Sequence, residues 1–203
     1  ARFFDDVKIV EANPKTALLL RDNVRLNALS EKVEVIEGAA AEKACSLTFL
    51  SNRMNSGGSK RIPKHQHAIY TFDADKITVD GLALDQRLNQ KPDVIFMDIE
   101  GSEFFALQGM QTLLKTATYV STEFMPHLIE NVAAISVEAL VEQIPSSFDT
   151  LFFLRTHRIC QGRGACLRAL CDAYERGENH DHIIWLASTH DPAGLLEVGL
   201  ETA

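Results

Sequence analysis

The chain has no apolar run near the roughly 20 residues that a helix needs to cross a bilayer. Its start, ARFFDDVKIV, has neither the basic stretch nor the apolar core of a secretory leader. The expectation is a cytoplasmic protein without a membrane span. Positive charge is also short: 20 Lys and Arg stand against 28 Asp and Glu, a net charge of −8. Such a field disfavours non-specific binding to nucleic acid or to anionic membranes. Cysteine is scarce, and the four present (Cys45, Cys160, Cys166, Cys171) form no CxxC pair. They read as reduced thiols in a chain large enough to bury a core without disulfides or a metal. With 11 Gly and 6 Pro in 203 residues, collagen-like and low-complexity chains are excluded.

What is present is an alternation of strand-like and helix-like segments. VKIVEA (Val7–Ala12) is a short apolar run ending at an acid, and KVEVIEGAA (Lys32–Ala40) alternates with Val33 and Val35 on one face. DVIFMDIEG (Asp93–Gly101) is almost continuously apolar, the pattern of a strand buried on both faces. Tyr119–Phe124, Phe148–Arg155 and His182–Ser188 follow; SLTFLSN and the HAIYTF and ITVDGL stretches fit a hairpin or extra strands. Asn13 suits an N-cap and Pro14 a first helical position, which starts a helix running to about Leu29. Ser102 can cap a second helix, with Glu103 in its first turn and an amphipathic face reaching about Lys115. Shorter helices are expected over Ser136–Gln143 and Cys166–Glu175. Strands alternating with helices imply βαβ units and an α/β fold with a largely parallel sheet, in one domain over residues 1–203.

In an open α/β sheet, ligands sit beyond the carboxyl ends of the strands. Here those ends carry Glu11, then Gly38-Ala39-Ala40, then Asp98-Ile99-Glu100-Gly101, then Glu123. An acid placed like Glu11 can accept hydrogen bonds from a ribose diol, and Ala39 and Ala40 leave room for a flat ring. Glu11 also reads as a plain solvated acid. Asp98, Glu100 and Glu103 fall within six residues of one another at the end of an apolar strand. Helix capping accounts well for Glu103, partly for Glu100 and poorly for Asp98, because carboxylates there are costly unless solvated, paired or bound. Asp98 and Glu100 are expected on one strand face.

Taken together, VEANP with LLRDNVRLNAL, the EGAA turn, LALDQRL, and MDIEGSEFFALQGMQTLL followed by TEF resemble the FkbM family of class I S-adenosylmethionine-dependent methyltransferases. Asn23 and Asn27 match the family's paired asparagines. Asp98, Glu100, Gly101, Glu103, Leu107 and Gly109 match its D-x-E-G-x-E and L-x-G run. The likeness is collinear from about Val7 to Phe124. It departs in Ala12, where the family has proline, and in the absence of a glycine-rich first strand-turn.

The resemblance implies a Rossmann-like, mostly parallel sheet flanked by helices on both faces, with an antiparallel last strand. It also implies that the first, central strand is missing from the start of this sequence, so that the domain is incomplete there. Its cofactor would be S-adenosylmethionine, with Glu11 on the ribose hydroxyls, Ala12 and Asn13 flanking the adenosine, Ala39 and Ala40 by the adenine, and Asp98 near the methyl end. The implied reaction is O-methylation of a hydroxyl on a sugar or other small molecule. Asp98, Glu100 and Glu123 are the catalytic candidates, and Glu100, Glu123 or His127 the candidates for general base. Two rival readings are a nicotinamide-dependent Rossmann oxidoreductase and a non-catalytic nucleotide-binding module of the same fold.

The basic tract Asn52–Lys64, with Arg53, Lys60, Arg61 and Lys64, reads either as a solvated loop or as a lid for an anionic acceptor. His65-x-His67 and His180-x-His182 have metal-like spacing but lack a further ligand, so no metal is expected.

Overall fold

Two parallel strands, β1 (Val7–Glu11) and β2 (Val33–Glu37), open the chain in a computed structural model that describes residues 4–53, 55–65 and 74–188. They are joined by α1 (Pro14–Leu26), which begins as its sequence dictates. Asn13 caps it by accepting from the Lys15 N–H at 3.0 Å, and Pro14 occupies the first turn, where a missing N–H costs nothing. The expected long second strand is broken at Gly38. Beyond it, β3 (Ala39–Ala40) leaves β2 and pairs in parallel with β6 (Ala74–Leu82).

β6 and β4 (Cys45–Asn52) form a regular antiparallel pair, the hairpin expected from SLTFLSN and ITVDGL. β5 (Lys60–Arg61) adds on the far side of β4, giving a four-stranded sheet in the order β3-β6-β4-β5. HAIYTF lies outside the described residues.

The third sheet has the order β10-β9-β11-β8-β7, from β7 (Val94–Met97), β8 (Tyr119–Phe124), β9 (Phe148–Phe153), β10 (Arg158–Gln161) and β11 (His180–Ala187). Only β7 and β8 pair in parallel; β11 runs antiparallel to both β8 and β9, and β10 antiparallel to β9. The antiparallel last strand is as expected. The single, mostly parallel Rossmann sheet is not. Among the described residues the strands divide into one parallel and two mixed sheets, because β1 and β7 do not pair with each other and the β4–β6 hairpin, with β3 and β5, forms its own layer.

The main core packs this third sheet against α2 (Leu84–Arg87), α3 (Glu103–Gln108), α4 (Gln111–Leu114), α5 (Val137–Glu142) and α6 (Arg163–Glu175). Trp185, Phe124, Phe148, Leu107 and Leu151 are fully buried in it, each contributing roughly 1.5–3 kcal/mol of apolar burial. α3 and α4 replace the one helix expected to reach Lys115. The break falls at Gly109, where an added Cβ would lie 1.9 Å from the Ala41 carbonyl oxygen, so this backbone is in contact with another segment. Ser102 precedes α3 without capping it through its side chain, and its buried hydroxyl has no hydrogen-bond partner.

β7 also departs from expectation. It is not buried on both faces: Val94 is 39% and Phe96 63% exposed. The physical reason is its place at the edge of its sheet, beside an open hollow.

Candidate functional site

The hollow lies between β1 and β7 and has a volume of about 750 Å³. β1 pairs with β2 and β7 with β8, so each turns an edge toward the gap. The two strands run in the same sense across it. The Gln90 side chain donates to Asp6 near their amino ends, while Glu11, Ala12, Asp98 and Ile99 line it at their carboxyl ends. Ala39 and Ala40 wall the same end.

Five of the six candidate cofactor residues, Glu11, Ala12, Ala39, Ala40 and Asp98, therefore border one hollow. Asn13 does not. It is 2% exposed, and its side chain is engaged in capping α1 and in donating to Ser51 Oγ at 3.1 Å and Ser59 Oγ at 3.2 Å. Its backbone N–H does serve the site by donating to Glu11 Oε1 at 2.7 Å. Half-burial raises the Glu11 pKa above its ordinary value, against the lowering effect of hydrogen bonds from the Asn13 and Ala12 amides.

The turn after β7 collects the remaining carboxylates. β7 ends at Met97, so Asp98 and Glu100 do not share a strand face as expected. Glu100 and Gly101 take consecutive left-handed conformations, φ +56° and +88°. A Cβ on Gly101 would come within 2.9 Å of Val132 Cβ and 3.0 Å of Leu128 Cβ, so glycine is required here on both counts. Glu103 is more than a first-turn acid. It is 6% exposed, accepts from the Ile99 N–H at 3.1 Å, and is pushed up to about 7 by burial, with Asp98 and Glu100 adding repulsion. Glu123 is pushed up to about 8 by burial first and then by Glu103, Asp98 and Glu100, while Lys60 pulls it down.

Glu123 does not border the main hollow. It faces a separate cavity of about 10 Å³ with Gly101, Glu103 and Phe104, and its Oε2 is buried without a hydrogen-bond partner. At neutral pH its carboxyl is protonated, so it holds a proton rather than removing one.

The basic tract is matched by the chain's own acids. Lys60 Nζ is 2.6 Å from Glu100 Oε2, Arg61 Nη2 is 2.8 Å from Glu42 Oε2, and Arg53 Nη2 is 2.5 Å from Asp75 Oδ1. Arg61 also stacks over the Phe105 ring at 4.0 Å, and Lys64 donates to the Ala133 carbonyl. This Lys60–Glu100 contact was not legible in the sequence, since the pair is 40 residues apart with no shared motif.

His180 and His182 do not converge. His180 is buried against Phe153, and His182 stacks on Phe96 at 4.5 Å, with a register irregularity of β11 between His180 and Ile183. His67 lies outside the described residues, and His127 is exposed. The four cysteines are free thiols. No helix among the described residues is long and apolar enough to cross a membrane.

The hollow opens at the carboxyl ends of β1 and β7, bordered by acids and small residues, which is where ligands sit in open α/β sheets. The methyltransferase FkbM domain matches residues 5–152, well over half of the sequence, and the chain belongs to that methyltransferase family. A solved structure of the methyltransferase FkbM from Methylobacillus flagellatus KT is similar at 14% identity and a TM-score of 0.46, over 90% of this chain. The chain spans about a third of that protein's length, 36%. No curated protein matches.

Proposed function

We propose that the hollow binds S-adenosylmethionine and that the chain transfers its methyl group to a hydroxyl of a sugar or other small acceptor. The observation that carries this reading is the convergence of Glu11, Ala39, Ala40 and Asp98 on one hollow within a chain of the FkbM methyltransferase family. The residues fit the donor: Glu11 is a half-buried acceptor for a ribose diol, the two alanines leave space for a flat base, and Asp98 puts negative charge at the same end. The donor supplies a methyl group on a cationic sulfonium.

The chain's part is to orient that group and to hold the acceptor in line with it, since alignment is the main source of acceleration in such a displacement. Glu100, Glu123 and His127 are the candidate bases for the acceptor's proton, and the raised Glu123 carboxyl is the one that holds a proton most readily. The family match gives the nicotinamide reading no support. Calorimetry with S-adenosylmethionine and S-adenosylhomocysteine tests the proposal. Binding of both by the folded protein supports it, and binding of neither overturns it.

The hollow continues past this end along both strands, to Phe4–Lys8 on one side and Gln90–Ile95 on the other. We infer that this part seats one further strand, parallel to both, that joins the sheets and completes the domain at its amino end. The open edges of β1 and β7 and the exposed Val94 and Phe96 support this.

A further inference from the structure

Ser59 and Lys60 are consecutive, yet they bond to residues just past the carboxyl ends of two different strands, β1 and β7. Ser59 Oγ accepts from Asn13 Nδ2 at 3.2 Å, just past the carboxyl end of β1. Lys60 Nζ donates to Glu100 Oε2 at 2.6 Å, just past the carboxyl end of β7. The segment that leads into these anchors borders the hollow through Gly57 and Ser59. The anchors are built in. Asn13 is 2% exposed and also donates to Ser51 on β4, and Lys60 is 8% exposed with its backbone in β5. Two strand ends from separate sheets are thus held together by adjoining residues of a third.

The turn that Lys60 grips is strained. Left-handed backbone at a non-glycine residue such as Glu100 is costly and persists only where the surroundings hold it. Packing of Gly101 against Val132 and Leu128 fixes one side of that turn. The Lys60 ion pair fixes the other. Asp98, which borders the hollow, lies two residues before Glu100 in this turn, so its position depends on the backbone that Lys60 secures.

We propose that Gly57–Lys60 is a strap closing the carboxyl end of the hollow, and that Lys60 is a positioning residue that sets Asp98 by holding Glu100 in its left-handed turn. The inference rests on the reading of the hollow as a methyl-donor site. The Lys60 ammonium pairs with Glu100 in the turn after β7 and acts electrostatically on Glu123 of β8, which also feels Asp98, Glu100 and Glu103. Replacing the cation removes the counter-charge that pulls Glu123 down, so Glu123 titrates at higher pH.

The test uses calorimetry with S-adenosylhomocysteine from about pH 6 to about pH 9. The variants are Lys60→Gln, Lys60→Arg, Ser59→Ala and the swap Lys60→Glu with Glu100→Lys, each checked for folding by urea denaturation. A misplaced charge-assisted contact costs about tenfold or more in affinity, so Lys60→Gln is expected to weaken binding by about tenfold or more. Lys60→Arg is expected to restore most of it and the swap part of it. The pH dependence of binding in Lys60→Gln is expected to move upward. Ser59→Ala, which removes the other anchor without touching the ion pair, is expected to weaken binding in the same direction and serves where Lys60→Gln does not fold. If the unaltered protein binds and the folded Lys60→Gln or Ser59→Ala binds equally well with an unmoved pH profile, the strap is overturned while the donor site stands. If the unaltered protein binds neither donor nor product, the donor site falls and the strap with it.

Discussion

The backbone N–H of Asn13 donates to the Glu11 carboxylate at 2.7 Å, so the residue that caps α1 also fixes the acid at the end of β1. The carboxylate is therefore aimed before any ligand arrives. A hydrogen bond to a charged group contributes about 1.5–3 kcal/mol, or roughly tenfold to a hundredfold in affinity. Glu11→Gln is expected to weaken S-adenosylhomocysteine binding within that range. Its melting temperature should fall little, since Glu11 is only half-buried. Unchanged affinity in calorimetry would remove Glu11 from the site.

Glu103 makes stability depend on pH in a direction opposite to that of a salt-bridged acid. Its carboxyl is raised from an ordinary 4.5 to about 7 in the folded chain. Between those values the folded state keeps a proton that the unfolded state has lost. Stability therefore falls as pH rises through this window, by about 1.4 kcal/mol per pH unit for each such proton. Glu103→Gln keeps the side-chain oxygen that accepts from Ile99 and carries no charge, so its urea midpoint should stay flatter from about pH 5 to about pH 7. The same slope in the variant and the parent would show that Glu103 is ionised throughout.

Two glycines give a paired test of packing. At Gly109 an added methyl meets the Ala41 carbonyl oxygen at 1.9 Å. Backbone must move to admit it, and Gly109→Ala is expected to cost about 1–3 kcal/mol or more. Gly164 lies within α6, and its nearest neighbour to an added Cβ is the flexible end of Arg168 at 3.5 Å. Gly164→Ala is expected to stabilise by roughly 0.5–1 kcal/mol, because alanine loses less backbone freedom in a helix. Denaturant midpoints of opposite sign would confirm the contrast.

The parts of the fold carried by local chemistry were legible in the sequence. The Asn13-Pro14 start of α1, the bounds of β8 and the antiparallel last strand follow from capping, alternation and order. The acids and alanines at the strand ends were legible because an apolar run makes the first polar residue after it conspicuous. What escaped depends on segments far apart in sequence. Ala39–Ala40 deserts β2 because its partner is Gly81–Leu82. The α3–α4 break answers to the carbonyl of Ala41. The Lys60–Glu100 pair joins a glycine- and serine-rich tract to the turn after β7, and no periodicity marks either partner for the other.

Phe96 shows the opposite failure, and tests whether a further strand belongs in the hollow. Its apolar run reads as doubly buried, yet the ring is 63% exposed beside the open edge of β7. An exposed side chain stabilises little, so Phe96→Thr should change the stability of the 203-residue chain by no more than about 0.5 kcal/mol. If the natural protein supplies a strand that covers the ring, the same substitution in that longer form removes a buried aromatic, a change that costs about 3–5 kcal/mol for a full truncation to alanine. Measuring both variants by urea denaturation separates the cases. A small effect in both chains would mean that the hollow is not filled by a strand at this position. A large effect confined to the longer chain would show that the apolar pattern of β7 encodes a neighbour lying upstream of Phe4.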